Sequence, residues 1–179
     1  MATTPAVTLR PVLQADQDLL LRIYASTRAA ELALTNWDKP TCDAFVQMQF
    51  NAQATHYGQH WPASEHSVIE TLSRGANQPV GRLWIDRRAD ALHVLDIALL
   101  PEWCNCGIGA ACFGRLMAES SEAGKALTIQ VEQGNPARRL YDRLGFQPVG
   151  PQLGLHQLMA WQFDASADSL TKEACYEQA

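Results

Sequence analysis

The sequence predicts an α/β fold of the α+β kind: a single domain with a mixed, mostly antiparallel twisted sheet of about seven strands, flanked by about four helices. The chain has 179 residues, of which 47% are hydrophobic and 18% are charged, so it can bury a core of its own. Apolar residues follow a helical or a period-two spacing in the order β-α-α-β-β-β-α-β-α-β-β. Because three strands follow one another in the middle, a doubly wound parallel sheet is excluded.

The first half of the chain contains one strand, two helices and then three strands. Alternating apolar residues predict a strand over 7–12, and leucines at helical spacing predict a helix over 15–33. Thr41 is expected to cap a second helix over 42–57. The turn "RGANQP" and a short Ala-Asp turn then separate three strands, over 66–73, 80–88 and 91–100.

The second half alternates helices with strands. A helix over 107–123 ends at Gly124 and is followed by a strand over 126–132. A short helix is then marked by Asn135 as its N-cap and Gly145 as its stop. Strands are predicted over 146–150 and 155–163, the domain over 1–163, and a C-terminal tail over 164–179.

Charge and cysteine content limit the classes of protein to consider. The formal net charge is −5, with no basic cluster of the kind that nucleic-acid-binding proteins carry. No apolar run approaches the roughly 18 residues of a membrane span, so we expect no membrane partner. An odd number of cysteines without a signal peptide favours free thiols and a cytoplasmic location. The five cysteines are Cys42, Cys104, Cys106, Cys112 and Cys175.

The stretch "WCNCGIGAA" at 103–111 joins an apolar strand to a helix through two glycines. A glycine-containing loop before a helix N-terminus can bind phosphate, because the first helical N–H groups are unpaired and glycine lets the backbone approach closely. The dinucleotide-binding fingerprint would need a third glycine at Cys112, and a P-loop would need Gly-Lys-Ser/Thr. A Rossmann-type nucleotide-binding enzyme is therefore disfavoured.

Two blocks together, "LDIALLPEWCNCGIGAACFGRLM" and "NPARRLYDRLGF", resemble the GCN5-related N-acetyltransferase (GNAT) superfamily. Gly107 and Gly109 match the glycines of the family's acetyl-CoA loop. The resemblance covers about residues 7–163 and includes the order of strands and helices. It implies a single GNAT-fold domain. The second block is matched by Asn135, Tyr141, Gly145 and Phe146.

The loop departs from the family pattern at three positions. Cys104 occupies the Arg/Gln position, Asn105 stands where many members have glycine, and Cys106 replaces an often basic residue. Charge-assisted contacts to phosphate are worth about 1.5–3 kcal/mol each, so their loss should weaken CoA binding. The backbone N–H groups are unaffected by side-chain changes. The two thiols are inert, oxidation-sensitive or metal-binding, and the sequence alone leaves these alternatives open.

The resemblance implies that acetyl-CoA is the cosubstrate and that a primary amine attacks its thioester directly. The amine is a small molecule or part of a peptide. Tyr141 matches the family's tyrosine that protonates the leaving thiolate, and the alternative is a tyrosine that packs the short helix onto the sheet. The residues expected to bind the cofactor are Ile97, Ala98, Leu99, Cys104, Asn105, Cys106, Gly107, Ile108, Gly109, Ala110, Asn135 and Tyr141.

The general base has three candidates. His93 lies where some superfamily members place a glutamate, and an ordinary imidazole pKa suits proton transfer at neutral pH. Asp96 is a carboxylate inside the apolar "VLDIALL", which is unusual because an unpaired buried charge is costly. Glu132 ends the following strand. His93 could also be a hydrogen-bonded strand residue and Asp96 a structural acceptor.

Two features leave other functions open. Without the loop arginine, the chain could be a non-catalytic GNAT-fold module that binds or senses acyl-CoA. His56 and His60 lie four residues apart, but we expect Gly58 to interrupt their helix and therefore predict no metal site. A homodimer is compatible with the sequence.

Overall fold

The computed structural model describes residues 5–73 and 75–161, so the predicted tail over 164–179 lies outside the described residues. Its elements follow the predicted order, with short 3₁₀ turns at Gln14–Asp16 and Pro101–Trp103. The strands and helices are β1 (Val7–Pro11), α1 (Gln17–Leu32), α2 (Lys39–His60), β2 (Glu65–Ser73), β3 (Ala76–Arg87), β4 (Ala91–Leu99), α3 (Ile108–Ala123), β5 (Ala126–Glu132), α4 (Arg138–Leu144), β6 (Gln147–Pro148) and β7 (His156–Trp161).

The seven strands form one sheet in the order β1-β2-β3-β4-β5-β7-β6. β1 pairs antiparallel with β2, and β7 pairs antiparallel with both β5 and β6. β4 and β5 are parallel, as their connection through α3 requires. The predicted mixed, mostly antiparallel sheet is therefore confirmed.

The chain divides into two compact units, Met1–Trp84 with Asp96–Ile108, and Ile85–Leu95 with Gly109–Ala179. In the first unit, α1 packs on α2 through an apolar cluster in which the rings of Tyr24 and Phe50 lie 5.8 Å apart. In the second unit, three aromatic rings pack edge to face, those of Phe113, Tyr141 and Phe146. Each unit therefore has its own buried aromatic packing.

Three local predictions differ from the structure. Asp38, and not Thr41, is the N-cap of α2, because its carboxylate accepts from the Thr41 N–H at 3.0 Å. The turn after β2 is shorter than expected: β3 begins at Ala76, directly after Gly75 at φ +81°. α2 also continues through Gly58 to His60, since one glycine costs a helix only about 1 kcal/mol.

Among the described residues, none of the helices combines the length and the apolar character that crossing a membrane requires.

Candidate functional site

The loop between β4 and α3 is a 3₁₀ turn followed by two left-handed residues. The Trp103 N–H donates to the Leu100 carbonyl at 2.9 Å and closes the turn. Asn105 then adopts φ +60° and Gly107 φ +80°. Asparagine and glycine tolerate this conformation best, which explains why Asn105 can stand where many members of the family have glycine. Asn105 and Gly107 therefore allow the chain to change direction at the start of α3.

The helix begins at Ile108, one residue after the predicted start, and Ile108 is only 1% exposed. This buried side chain anchors the N-terminus of α3, while residues 104–107 are all exposed. The first helical N–H groups, including those of Gly109 and Ala110, carry the positive end of the helix dipole. The loop can therefore present unpaired N–H donors to an anion.

The two loop cysteines donate weakly to nearby carbonyls. Cys104 Sγ lies 3.6 Å from the Leu100 oxygen, and Cys106 Sγ lies 3.5 Å from the Cys104 oxygen. Burial, the neighbouring Cys106 and Glu102 together raise the pKa of the Cys104 thiol. A raised pKa favours the inert alternative for the Cys104 thiol, which lies ahead of the first helical turn.

The pairing of β4 with β5 ends well before either strand does. Their parallel register runs from Ala91 opposite Ala126 to Val94 opposite Ile129. β4 continues to Leu99 and β5 to Glu132. The predicted cofactor-binding residues Ile97, Ala98 and Leu99 are half-buried and lie in the part of β4 beyond this register.

Asp96 is held by a buried arginine that the sequence analysis did not single out. Arg82 Nε lies 2.7 Å from Asp96 Oδ2, in an ion pair that is not aligned as a hydrogen bond. Arg82 is 1% exposed, donates to Gln53 Oε1 at 2.9 Å and lies over the Tyr24 ring at 5.4 Å. This supports the alternative in which Asp96 is a structural acceptor.

Tyr57 on α2 lies close to this ion pair. Its ring packs edge to face against Trp84, with centroids 4.8 Å apart. Burial, followed by the negative charge of Asp96, raises the pKa of the Tyr57 phenol above its usual range. Tyr57 is therefore a neutral hydroxyl near Asp96 at all ordinary pH values. The sequence feature that could have indicated this cluster is Arg82 itself, a charged residue within the apolar strand sequence "VGRLWI".

His93 lies in the core of the second unit. Its Nδ1 is 2.8 Å from Thr128 Oγ1, and the residue is 8% exposed. Burial, with a smaller contribution from Arg88, lowers the pKa of His93 to about 4, against the raising effect of Asp86. A buried imidazole of such low basicity does not fit the predicted base role, so the structure favours the alternative of a hydrogen-bonded strand residue.

The second sequence block forms a turn followed by the short helix α4, with one correction to the prediction. Gly145 ends α4 at φ +89°, as predicted. Asn135 is not the N-cap, because that position belongs to Ala137. Asn135 Oδ1 instead accepts from the Ala137 N–H at 2.9 Å and closes the turn before the helix.

Tyr141 is 3% exposed and packs on Phe113 at 5.1 Å. Glu132, in contrast, is exposed at the end of β5.

The histidines of α2 are closer together than the sequence suggested. Because the helix continues through Gly58, the rings of His56 and His60 lie 4.1 Å apart. Within residues 5–73 and 75–161, no group of three or more His, Cys, Asp or Glu side chains could hold a metal ion.

Residues 62–148 match the family model described as an acetyltransferase (GNAT) domain. The predicted resemblance to the GNAT superfamily is confirmed. Part of the chain is also 34% identical, over 74 residues, to the ribosomal protein bS18-alanine N-acetyltransferase of Haemophilus influenzae. That match covers 41% of this chain and 51% of the relative, so the chain spans about half the length of the curated relative that it matches.

Solved GNAT structures share the fold at low sequence identity. A PaiA N-acetyltransferase from Thermoplasma acidophilum, in complex with coenzyme A, has a TM-score of 0.63 at 13% identity and covers 88% of this chain and 99% of its own. The spermidine N-acetyltransferase from Vibrio cholerae, in complex with CoA and spermine, has a TM-score of 0.56 at 16% identity and covers 86% of this chain and 92% of its own. These likenesses establish the GNAT fold.

Proposed function

We propose that this protein is an N-acetyltransferase that moves an acetyl group from acetyl-CoA to a primary amine by direct attack in a ternary complex. The observation that carries the proposal is the loop before α3, where Asn105 and Gly107 adopt positive φ and turn the chain into a helix whose first N–H groups can meet an anion. The match of residues 62–148 to an acetyltransferase domain supports it.

The cofactor is proposed to lie along the loop and the end of β4. The pyrophosphate accepts from backbone N–H groups at Ile108, Gly109 and Ala110, with the exposed residues 104–107 beside it. The pantetheine arm runs along Ile97–Leu99, the part of β4 beyond its register with β5. No side chain of the loop supplies a positive charge, so binding depends on the backbone. This predicts weaker CoA binding than an arginine-bearing loop gives.

The chemical step forms a C–N bond and breaks the C–S bond of the thioester. A backbone N–H of the 97–99 segment stabilises the oxyanion of the tetrahedral intermediate. The attacking ammonium loses one proton before it attacks and a second as the amide forms, while the departing thiolate gains one, so one proton in all is released to solvent. We assign protonation of the thiolate to the Tyr141 hydroxyl, and deprotonation of the ammonium to Glu132 or a water that it holds, because the Asp96 carboxylate is already paired with Arg82. His93 is not proposed as the base, because burial lowers its pKa to about 4 and its Nδ1 pairs with Thr128.

The acceptor is proposed to be a small-molecule amine or a peptide amine. Both classes occur among the relatives, whose names specify the alanine of a ribosomal protein in one case and spermidine in the other. A second candidate function is a non-catalytic GNAT-fold module that binds acyl-CoA. The observation that favours it is Cys104, an exposed neutral side chain at the position of the family's arginine or glutamine.

The first test is calorimetric titration of the reduced protein with acetyl-CoA, CoA and desulfo-CoA. Micromolar binding of all three supports the placement of the pyrophosphate on the loop. Thiol release from acetyl-CoA is then measured with spermidine and with a short peptide that begins with alanine. Turnover that falls in Tyr141→Phe supports the enzyme, whereas binding without turnover on any amine favours the non-catalytic module. No binding at millimolar cofactor would overturn both.

A further inference from the structure

Two consecutive residues of β3 contact the part of β4 to which we assign the acetyl thioester. We propose that Gly81 and Arg82 are positioning residues for the β4 segment 96–99. This inference rests on the proposed function and extends it, because neither residue belongs to the motifs that resemble the family. Since successive residues of a strand face opposite sides of the sheet, Gly81 and Arg82 act from different faces.

Gly81 is a position where β4 comes very close to β3. A Cβ at Gly81 would lie 2.5 Å from the Ala98 carbonyl oxygen, 2.5 Å from Leu99 Cδ2 and 3.3 Å from Leu99 Cα. Two of these three atoms are backbone, so a methyl group cannot be accommodated by rotating one side chain. Its φ is not in the left-handed region, so the glycine is required by this close approach and not by its own backbone angles.

The close approach is fixed at the C-terminal end of β4. There the Leu100 N–H donates to the Val80 carbonyl at 2.8 Å, directly beside Gly81. Leu100 itself is buried at 3% exposure, so this end of β4 cannot move outward without losing apolar contact. Alanine at position 81 must therefore displace the segment that ends at Leu99.

Arg82 holds the other end of the segment at Asp96. Its guanidinium reaches the Asp96 carboxylate at 2.7 Å and is itself held by Gln53 at 2.9 Å and by the Tyr24 ring. The buried Arg82 cation restricts the movement of the Asp96 carboxylate. Separating the two groups would leave a buried charge without its partner, which is strongly unfavourable. An ion pair with Arg82 therefore holds the Asp96 end of the segment 96–99. At the other end, Ala98 and Leu99 can lie close to β3 because Gly81 has no side chain.

Such positioning matters for the proposed reaction, because an oxyanion donor works only where it is already aligned. A shift of the reacting geometry by about 1 Å costs on the order of 100-fold in rate. Binding of CoA depends mainly on the pyrophosphate at the loop, which these two residues do not contact. Because the displaced segment touches only part of the pantetheine arm, we expect their loss to lower kcat far more than it raises the Kd of CoA.

The test compares Gly81→Ala with Gly58→Ala, a glycine of α2 around whose Cβ position nothing lies within 4 Å. Both proteins are assayed for kcat with acetyl-CoA, for the Kd of CoA, and for the fraction folded by urea denaturation. We expect Gly81→Ala to lose about 10- to 100-fold in kcat per folded protein, with the Kd of CoA within about threefold of wild type. Gly58→Ala should match the wild type in both.

Arg82→Lys provides a second variant if Gly81→Ala does not fold. Lysine keeps the charge but not the planar fork that meets Asp96 and Gln53 together. We expect a loss of about tenfold in kcat, with no shift in the pH–rate profile, because the ionisable groups of the reaction are retained. An active wild type with Gly81→Ala or Arg82→Lys at unchanged kcat would overturn the positioning roles alone. A wild type that neither binds CoA nor transfers acetyl overturns the proposed function and this inference together.

Discussion

His93 Nδ1 lies 2.8 Å from Thr128 Oγ1, between two neighbouring parallel strands and away from solvent. The hydroxyl is itself 3.4 Å from the Leu92 carbonyl, so Thr128 links a buried imidazole to the backbone of β4. The Thr128 hydroxyl therefore gives the buried Nδ1 of His93 a hydrogen-bond partner in the core. It makes His93 a structural residue whose contribution to stability can be measured.

Thr128→Val keeps the shape of the side chain and removes the hydroxyl. We expect it to lower the free energy of unfolding by about 1–3 kcal/mol, the cost of leaving a buried polar group without its partner. Urea denaturation at neutral pH measures the change, and Thr128→Ser, which keeps the hydroxyl, is the matched control. Equal midpoints for the valine and serine variants would show that the hydrogen bond contributes nothing.

The same burial predicts how stability depends on pH. His93 has a folded pKa of about 4 against an ordinary value of 6.5, so the unfolded chain takes up a proton before the folded one does. Stability contributed by the neutral ring is complete above pH 6.5 and is lost as the pH falls toward 4. His66, whose pKa burial and the Arg82 charge also lower to about 4, acts in the same window.

Urea denaturation across this window tests the prediction. We expect the wild type to lose stability steadily between pH 6.5 and pH 4, by up to about 3 kcal/mol for the buried His93 and by less for the half-buried His66. His93→Gln should reduce the slope without abolishing it, because His66 remains. His60→Gln, at an exposed position of α2, is the control. A slope unchanged by His93→Gln would contradict the burial of a neutral His93.

The order of elements could be read from the sequence because it depends on local chemistry. Gly145 ends α4 in a left-handed conformation, and glycine is the residue that adopts it at least cost. Asn105 likewise adopts φ +60°, a conformation that asparagine tolerates better than most residues. Hydrophobic spacing then marked each helix and strand. Such features depend only on residues that are neighbours in sequence, so they can be predicted without knowledge of tertiary contacts.

The roles of His93, Asp96 and Arg82 could not be read in the same way. Residues 91–94 of β4 are all buried, so alternation cannot tell which side chain reaches a site. The partners of Arg82 come from α2 and from β4, which are far apart in sequence. Only the folded chain shows that the carboxylate of Asp96 is already paired. Local patterns marked the loop that we propose binds the cofactor, whereas the assignment of a base depends on pairing between residues far apart in sequence.

A surface network near the N-terminus gives a third prediction. Arg10 donates to both Asp16 oxygens, at 2.7 and 2.8 Å, and to Glu70 Oε1 at 2.7 Å. Asp16 also accepts from the Leu13 N–H at 2.8 Å and is 8% exposed. The hydrogen bond from Arg10 lowers the pKa of Asp16 from 3.8 to about 2. Its stabilisation is present above pH 3.8 and is lost as the pH falls through 2.

Asp16→Asn should therefore lower the free energy of unfolding at neutral pH by about 1–3 kcal/mol. The matched control is Asp43→Asn, which removes the carboxylate of the exposed pair with Lys39 on α2. An exposed helical pair contributes only about 0.3–0.5 kcal/mol. Urea denaturation of both variants beside the wild type gives the comparison. Equal effects at the two positions would mean that the Arg10 network stabilises no more than a solvent-exposed ion pair.

A substitution at Cys104 can test the proposed placement of the cofactor on the loop before α3, because it can add the positive charge that this loop lacks. Its side chain is exposed and makes only weak sulfur contacts, at 3.6 and 3.9 Å, with the carbonyls of Leu100 and Leu99. An arginine there can extend into solvent and meet the pyrophosphate. One charge-assisted contact of about 1.5–3 kcal/mol corresponds to roughly a 10- to 100-fold lower Kd.

We expect Cys104→Arg to bind CoA about 10-fold or more tightly than the wild type at low ionic strength. Cys104→Ser, which adds no charge, should bind as the wild type does. Titration calorimetry of the three proteins with CoA, repeated at high salt, measures both the gain and its screening. Because the backbone N–H groups are common to all three, a gain specific to arginine places the pyrophosphate beside position 104. An arginine variant that binds no better would mean that the phosphates lie elsewhere, and the proposed cofactor placement would fail while the fold remained unchanged.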